Sequence, residues 1–247
     1  MREGQIDLKE LSKSIFRRLT DVRFATRFYS GVGIDIGGKP DPLSLYSHIF
    51  PLIDSVMIWD LENGDAQYMH SIDDETFDFV NSSHTLEHML DPQVALSNWI
   101  RITKKGGYLV LTFPDEDLYE QGPEGPRFNI HHKTTFSINK TESWSQESIN
   151  VISLLQSFSH LTKIVKIELI DHTYDYGLPR YDQTRTPIVE SAIEVILYKL
   201  KESDIVGKGE LKKPLGWDPQ MKHYYDLYIK DQKAAQIANP NPFGYTE

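Results

Sequence analysis

The chain has 247 residues, no cysteine, and 36 acidic against 26 basic side chains, a net charge of -10. That length fits one α/β domain with extensions. The missing cysteines exclude disulfides and thiolate metal sites and suit a reducing, cytoplasmic setting. The acidic balance argues against a nucleic-acid partner; no apolar run reaches a membrane span and no signal segment is read at the amino terminus.

Residues 6–28 carry Ile6, Leu8, Leu11, Ile15, Phe16, Leu19 and Val22 at three- and four-residue spacings, which predicts an amphipathic helix over the site or the sheet edge. Strands are expected at 31–36, 54–60, 76–82 and 107–113. The first runs into Gly37-Gly38-Lys39-Pro40, a turn that lets backbone approach a ligand closely. Proline is tolerated at a first helical position, so a helix start is expected there. The second strand ends in Asp60, about 20 residues past the glycines, where an acid can accept hydrogen bonds from ribose hydroxyls. Gly64-Asp65-Ala66 follows, a short acid before a small residue that would let a flat base lie close.

The third strand continues through Asn81-Ser82-Ser83 into His84-Thr85-Leu86-Glu87-His88, and Asp91-Pro92 opens a helix with Val94, Leu96, Trp99 and Ile100. Apolar strands that do not alternate strictly, separated by helices, indicate a parallel sheet covered on both faces. A helix at 146–158 and strands at 163–171 and 191–200 come next. Residues 1–200 are read as one domain and 201–247 as a charged extension, with a helix at 220–238 and a tail extended or disordered beyond it.

In this order, segments 35–38, 77–88 and 101–115 resemble the class I S-adenosylmethionine-dependent methyltransferases. The resemblance implies a Rossmann-like doubly wound sheet, mostly parallel with an antiparallel last strand and helices on both faces. It implies S-adenosylmethionine as cofactor, held by Asp35, Gly37, Gly38, Lys39, Asp60, Leu61, Asp65, Ala66, Ser82 and Ser83. The chain departs from that pattern where Lys39 and Asp41 replace later loop glycines, with Pro40 and Pro42 interleaved. Tyr119-Glu120-Gln121 and His132-Lys133-Thr134-Thr135-Phe136 are similar to the branch associated with bacterial surface-polysaccharide biosynthesis. That similarity implies a small polar acceptor, a sugar hydroxyl or a phosphoryl-type group.

The donor's methyl is already activated, so the protein must align an acceptor and remove a proton. His132 and His84 are the candidate catalytic residues. Tyr119, Arg127, His131 and Arg180 are candidates for the acceptor, the two arginines as a fork for an anionic group. His84 through His88 also matches His-x-x-Glu-His, an inverted zinc-protease pattern when it lies on a helix. Its place between a strand and the Lys104-Lys105-Gly106-Gly107 turn favours the methyltransferase reading, with no metal. N-methylation of a related acceptor and a non-catalytic binding module remain as alternatives. A nicotinamide dehydrogenase is disfavoured by the missing third glycine.

Overall fold

The structure is a computed structural model that describes residues 9–122, 128–206 and 219–238. The chain divides into two units, Met1–Ile205 and Val206–Glu247. Arg127, Ile6, Leu8 and the tail 239–247, all singled out from sequence, lie outside the described residues.

The first unit is a Rossmann-like α/β sheet. Its strands are β1 (Gly31–Ile36), β2 (Ile53–Trp59), β3 (Phe77–Ser83), β4 (Thr103–Pro114), β7 (Thr162–Ile170) and β8 (Ala192–Lys199), in the order β2-β1-β3-β4-β8-β7. The first four pair in parallel, while β8 runs antiparallel to both β4 and β7. Two short strands, β5 (Thr135–Ser137) and β6 (Ser148–Asn150), form a separate parallel pair. The helices are α1 (Glu10–Arg18), α2 (Pro92–Ile102), α3 (Val151–Gln156) and α4 (Glu202–Val206). The second unit contains α5 (Pro219–Ala238).

Side chains alternate across the strands, so the sheet feeds two cores. Ile34, Leu109, Leu111 and Val195 pack with Leu96 and Trp99 of α2 and Leu155 of α3. Phe79, Val110 and Ile196 face the other way, onto Leu11 and Ile15 of α1 and onto Phe24 and Phe28. At the start of α2, Asp91 accepts hydrogen bonds from the N–H groups of Gln93 and Val94, both at 3.0 Å. Pro92 sits where its missing N–H costs nothing.

Three sequence expectations need correction. The amphipathic stretch is not one helix: α1 stops at Arg18 and a π-turn occupies Phe24–Phe28. Between them the Asp21 carboxylate captures the Arg23 N–H at 3.0 Å, a local bond that competes with helix continuation. No α-helix starts after the glycine turn, and Leu43–Ile49 is a 3-10 segment. Pro40 and Pro42 supply no N–H, and Asp35 takes that of Leu43 at 2.7 Å, so the chain is anchored away from an α turn. Finally, the expected helix at 146–158 shortens to α3, because 148–150 pair with β5 and Asn150 then caps by accepting from the Ser153 N–H at 2.9 Å.

Candidate active site

β1 has β2 on one side and β3 on the other, so the strand order reverses beside it. The carboxyl ends of β1 and β3 at such a reversal frame a ligand crevice. Asp35 is buried there, with Asn81 Nδ2 donating to its Oδ1 at 2.5 Å and the Leu43 N–H to its Oδ2. Burial pushes its carboxyl up to about 6, against the pull of those two bonds and of Arg18. Both oxygens therefore brace the loop.

Gly37 has φ +73° and donates its N–H to the Trp59 carbonyl at 2.8 Å. A Cβ on it would overlap Thr85 Oγ1, and one on Gly38 would come 2.7 Å from Asp35 Oδ2. The glycines are thus demanded by the protein's own close packing. Asp60 accepts from the Leu61 N–H at 2.8 Å and from the Lys39 N–H at 3.0 Å, which ties the end of β2 to the glycine turn. The Asn63 N–H completes a capping box on the same carboxylate, which with about four acceptor sites still has room for a ligand. The Lys39 ammonium pairs with Glu62 on the exposed surface. Asp65 accepts from the Gln67 N–H at 2.7 Å, and Leu61 projects into solvent. Ser82 donates to the Ile36 carbonyl at 3.2 Å, whereas the buried Ser83 hydroxyl has no hydrogen-bond partner among the described residues.

Two compartments meet at this turn. The larger, about 880 Å³, is lined by Trp59, Asp60, Leu61, Asp65, Ala66, Thr85, His88, Met89 and His131. The smaller, about 350 Å³, is lined by Glu10, Asp35, Gly38, Asp41, Ser83, Thr184 and Arg185. Gly37, Lys39 and His84 border both. An apolar wall, an acid with spare lone pairs and an unsatisfied buried hydroxyl suit a nucleoside with a polar tail.

His84, the residue that follows β3, has φ 54°, a left-handed conformation uncommon outside glycine and often found at functional positions. Its Nδ1 lies 3.5 Å from Glu87 Oε1 and its Nε2 3.7 Å from Glu10 Oε2. Burial disfavours the charged imidazole, but Glu87, Glu10 and Glu190 together hold its pKa above the usual value. Glu87 is buried as well; burial works against its charge, yet His84, His132 and His88 keep its carboxyl below the ordinary range. Among the described residues, neither Glu87 oxygen has a hydrogen-bond partner.

His88 belongs to a 3-10 turn, Leu86–His88, so it does not share a helical turn with His84 as the zinc-protease pattern requires. The chain instead brings His132 to this place. Its Nδ1 meets Glu120 Oε1 at 2.5 Å, its Nε2 lies 4.0 Å from Glu87 Oε1, and Tyr119 packs beside its ring. His132 is buried, and its neighbour His131 lines the larger compartment. Arg180 lines a different hollow of about 390 Å³, with Asp117, Gln121, Trp144, Tyr174 and Tyr176. Sequence reasoning passed over Thr85, Glu120 and Met89; the first two stood inside quoted motifs, but nothing in their spacing marked what they touch.

Residues 44–111 match the family model described as a methyltransferase domain. The chain carries a methyltransferase domain. It is of the S-adenosylmethionine-dependent kind, and S-adenosylmethionine is its cofactor. No curated protein matches the chain in sequence. Among solved structures, the methyltransferase is similar to a SAM-dependent methyltransferase from Archaeoglobus fulgidus, with 16% identity, 77% of this chain and 93% of that one covered, and a TM-score of 0.49. It is also similar to a SAM-dependent methyltransferase from Thermotoga maritima, with 20% identity, 76% and 98% covered, and a TM-score of 0.42. A protein from Pyrococcus horikoshii covers 77% and 92% at 13% identity, with a TM-score of 0.46.

Proposed function

We propose that this methyltransferase is a cytoplasmic O-methyltransferase of a small polar acceptor, a sugar hydroxyl or phosphoryl-type group of a surface-glycan precursor. The observation that carries the reading is His84, which borders both compartments and has a buried carboxylate 3.5 Å from its ring. A hydroxyl is a poor nucleophile until its proton leaves, and such an imidazole is suited to take it.

Asp60 holds the donor's ribose, Asp65 and Ala66 flank its base, and Gly37, Gly38 and Ser83 receive its amino-acid end. When bound, S-adenosylmethionine supplies an electrophilic methyl group, so no protein nucleophile is needed. The chain's own residues align the acceptor, keep water out and accept its proton at His84 Nε2 or Nδ1. His132, held by Glu120, adds a second imidazole 4.0 Å from Glu87 Oε1. The hollow with Trp144, Tyr174, Tyr176, Asp117 and Arg180 supports a sugar: aromatic faces suit its C–H surfaces and the charged groups its hydroxyls.

Methyl-labelled donor offered to sugar and amine acceptors tests the reading. Label on oxygen is expected, with His84→Gln lowering turnover about 100-fold while S-adenosylhomocysteine affinity stays within about twofold. Label on amines alone would establish the N-methyl alternative.

A further inference from the structure

We infer that Glu87, His88 and His132 form a binding site for a single zinc-type divalent ion, with an open coordination position toward the larger compartment. Among the described residues these three can each offer one ligand atom within 4.8 Å of the others. The His-x-x-Glu-His pattern pairs different residues, because His84 stands in the bend after β3 and His88 on a 3-10 turn. The ligand that completes the set comes from 44 positions beyond His88 in the sequence.

Three independent features prepare the set. Both imidazoles have the tautomer fixed by an acceptor at Nδ1: the Glu120 carboxylate for His132, and the His131 carbonyl at 3.2 Å for His88. A carbonyl can only accept, so Nδ1 carries the hydrogen and Nε2 is the atom that the neutral His88 ring offers to an ion. A carboxylate or carbonyl behind each ligating histidine is the usual outer shell of a metal site. Second, the Glu87 carboxylate is buried with neither oxygen hydrogen-bonded among the described residues, a costly state that an ion would relieve. Third, the Glu87 carbonyl accepts from the N–H groups of Lys133 and Thr134, at 2.7 and 3.3 Å, which locks the His132 segment to the Glu87 turn.

Two imidazoles and one carboxylate make a borderline-soft set that suits zinc and leaves a fourth position free. Ligands about 2.1 Å from a tetrahedral ion stand roughly 3.4 Å apart, so the 4.0 Å between His132 Nε2 and Glu87 Oε1 needs only a small contraction. His88 lines the larger compartment, so the open position faces it. An acceptor hydroxyl bound there would become more acidic, its proton passing to His84. That use of the ion rests on the proposed O-methylation; the site itself does not.

The test is zinc binding by the full chain, stripped with chelator and containing no donor or acceptor, read by calorimetry and elemental analysis, with cobalt absorption as a second probe. One zinc per chain is expected. Glu87→Gln, His88→Ala and His132→Ala should each weaken binding at least about 100-fold, while His84→Ala retains it. The half-buried His88 keeps the test decisive if the His132 variant does not fold. Absence of zinc and cobalt uptake, or loss of the ion in His84→Ala equal to that in His88→Ala, would overturn the site. Zinc bound as expected without O-methylation would instead sink only the proposed reaction.

Discussion

Two buried glutamates of this protein have opposite surroundings. Glu194 on β8 is met by permanent cations: Arg17 Nη1 at 2.8 Å, Arg18 Nε at 2.9 Å and Lys166 Nζ at 3.0 Å. Arg18 also donates to Tyr29 at 2.8 Å, to Thr112 at 2.9 Å and to Asn81 at 3.5 Å, and Tyr29 donates to Asn81 at 2.7 Å. Asn81 in turn holds Asp35, so one polar chain joins α1 to the base of the glycine turn. Among the described residues, Glu87 has imidazoles beside it, the His84 ring at 3.5 Å and the His132 ring at 4.0 Å. A carboxylate saturated by arginine is a fixed joint, whereas one ringed by histidines can still exchange a proton or accept an ion.

The largest test of that contrast is Arg18→Ala, which leaves Glu194 buried with one strong partner fewer. We expect a loss of about 3–5 kcal/mol in urea unfolding; a loss under about 1 kcal/mol would break the comparison. Glu87→Gln should do the reverse, changing unfolding free energy by less than about 1 kcal/mol while turnover falls about 100-fold, near 2.7 kcal/mol.

The pH dependence sharpens it further. Burial raises Asp35 and Asp115 to about 6 from the model-peptide value of 3.8. The folded state therefore holds protons that the unfolded chain has released, and stability falls as pH rises from about 4 to about 6, by roughly 2 kcal/mol for each group. Glu194 is held below its ordinary range by Arg18 and Arg17 despite its burial, so its contribution is lost as pH falls below about 4.5. Asp115→Asn preserves the cap on the Asp117 and Leu118 N–H groups, and should halve the decline between pH 4 and 6 in urea titrations. The smallest effect is expected at the exposed Lys39–Glu62 pair. Lys39→Ala should change S-adenosylhomocysteine affinity less than about threefold, the scale of a surface ion pair. A loss beyond tenfold in calorimetry would establish a donor contact for Lys39.

Much of the sheet was legible in the chain. Short apolar runs bounded by Gly37, Asp60 and Asp91-Pro92 put four parallel strands and α2 within a few residues of their observed ends. Local rules suffice there, because burial on both faces and a capped helix start are properties of neighbours in sequence. Local rules failed where a side chain bonded across the fold. Asp35 reaching Leu43 replaced a helix by a 3-10 turn, and strand pairing with β5 shortened α3.

The glycine turn, the acid at 60 and the histidine-bearing segment after β3 were set by sequence alone, since each is a short motif whose spacing carries its meaning. Only the tertiary structure decided which histidine meets which carboxylate. Glu120 and His132 are twelve residues apart and Glu87 lies far upstream. Their meeting depends on how the segment after β4 folds back onto the end of β3, a matter of packing that no local pattern encodes.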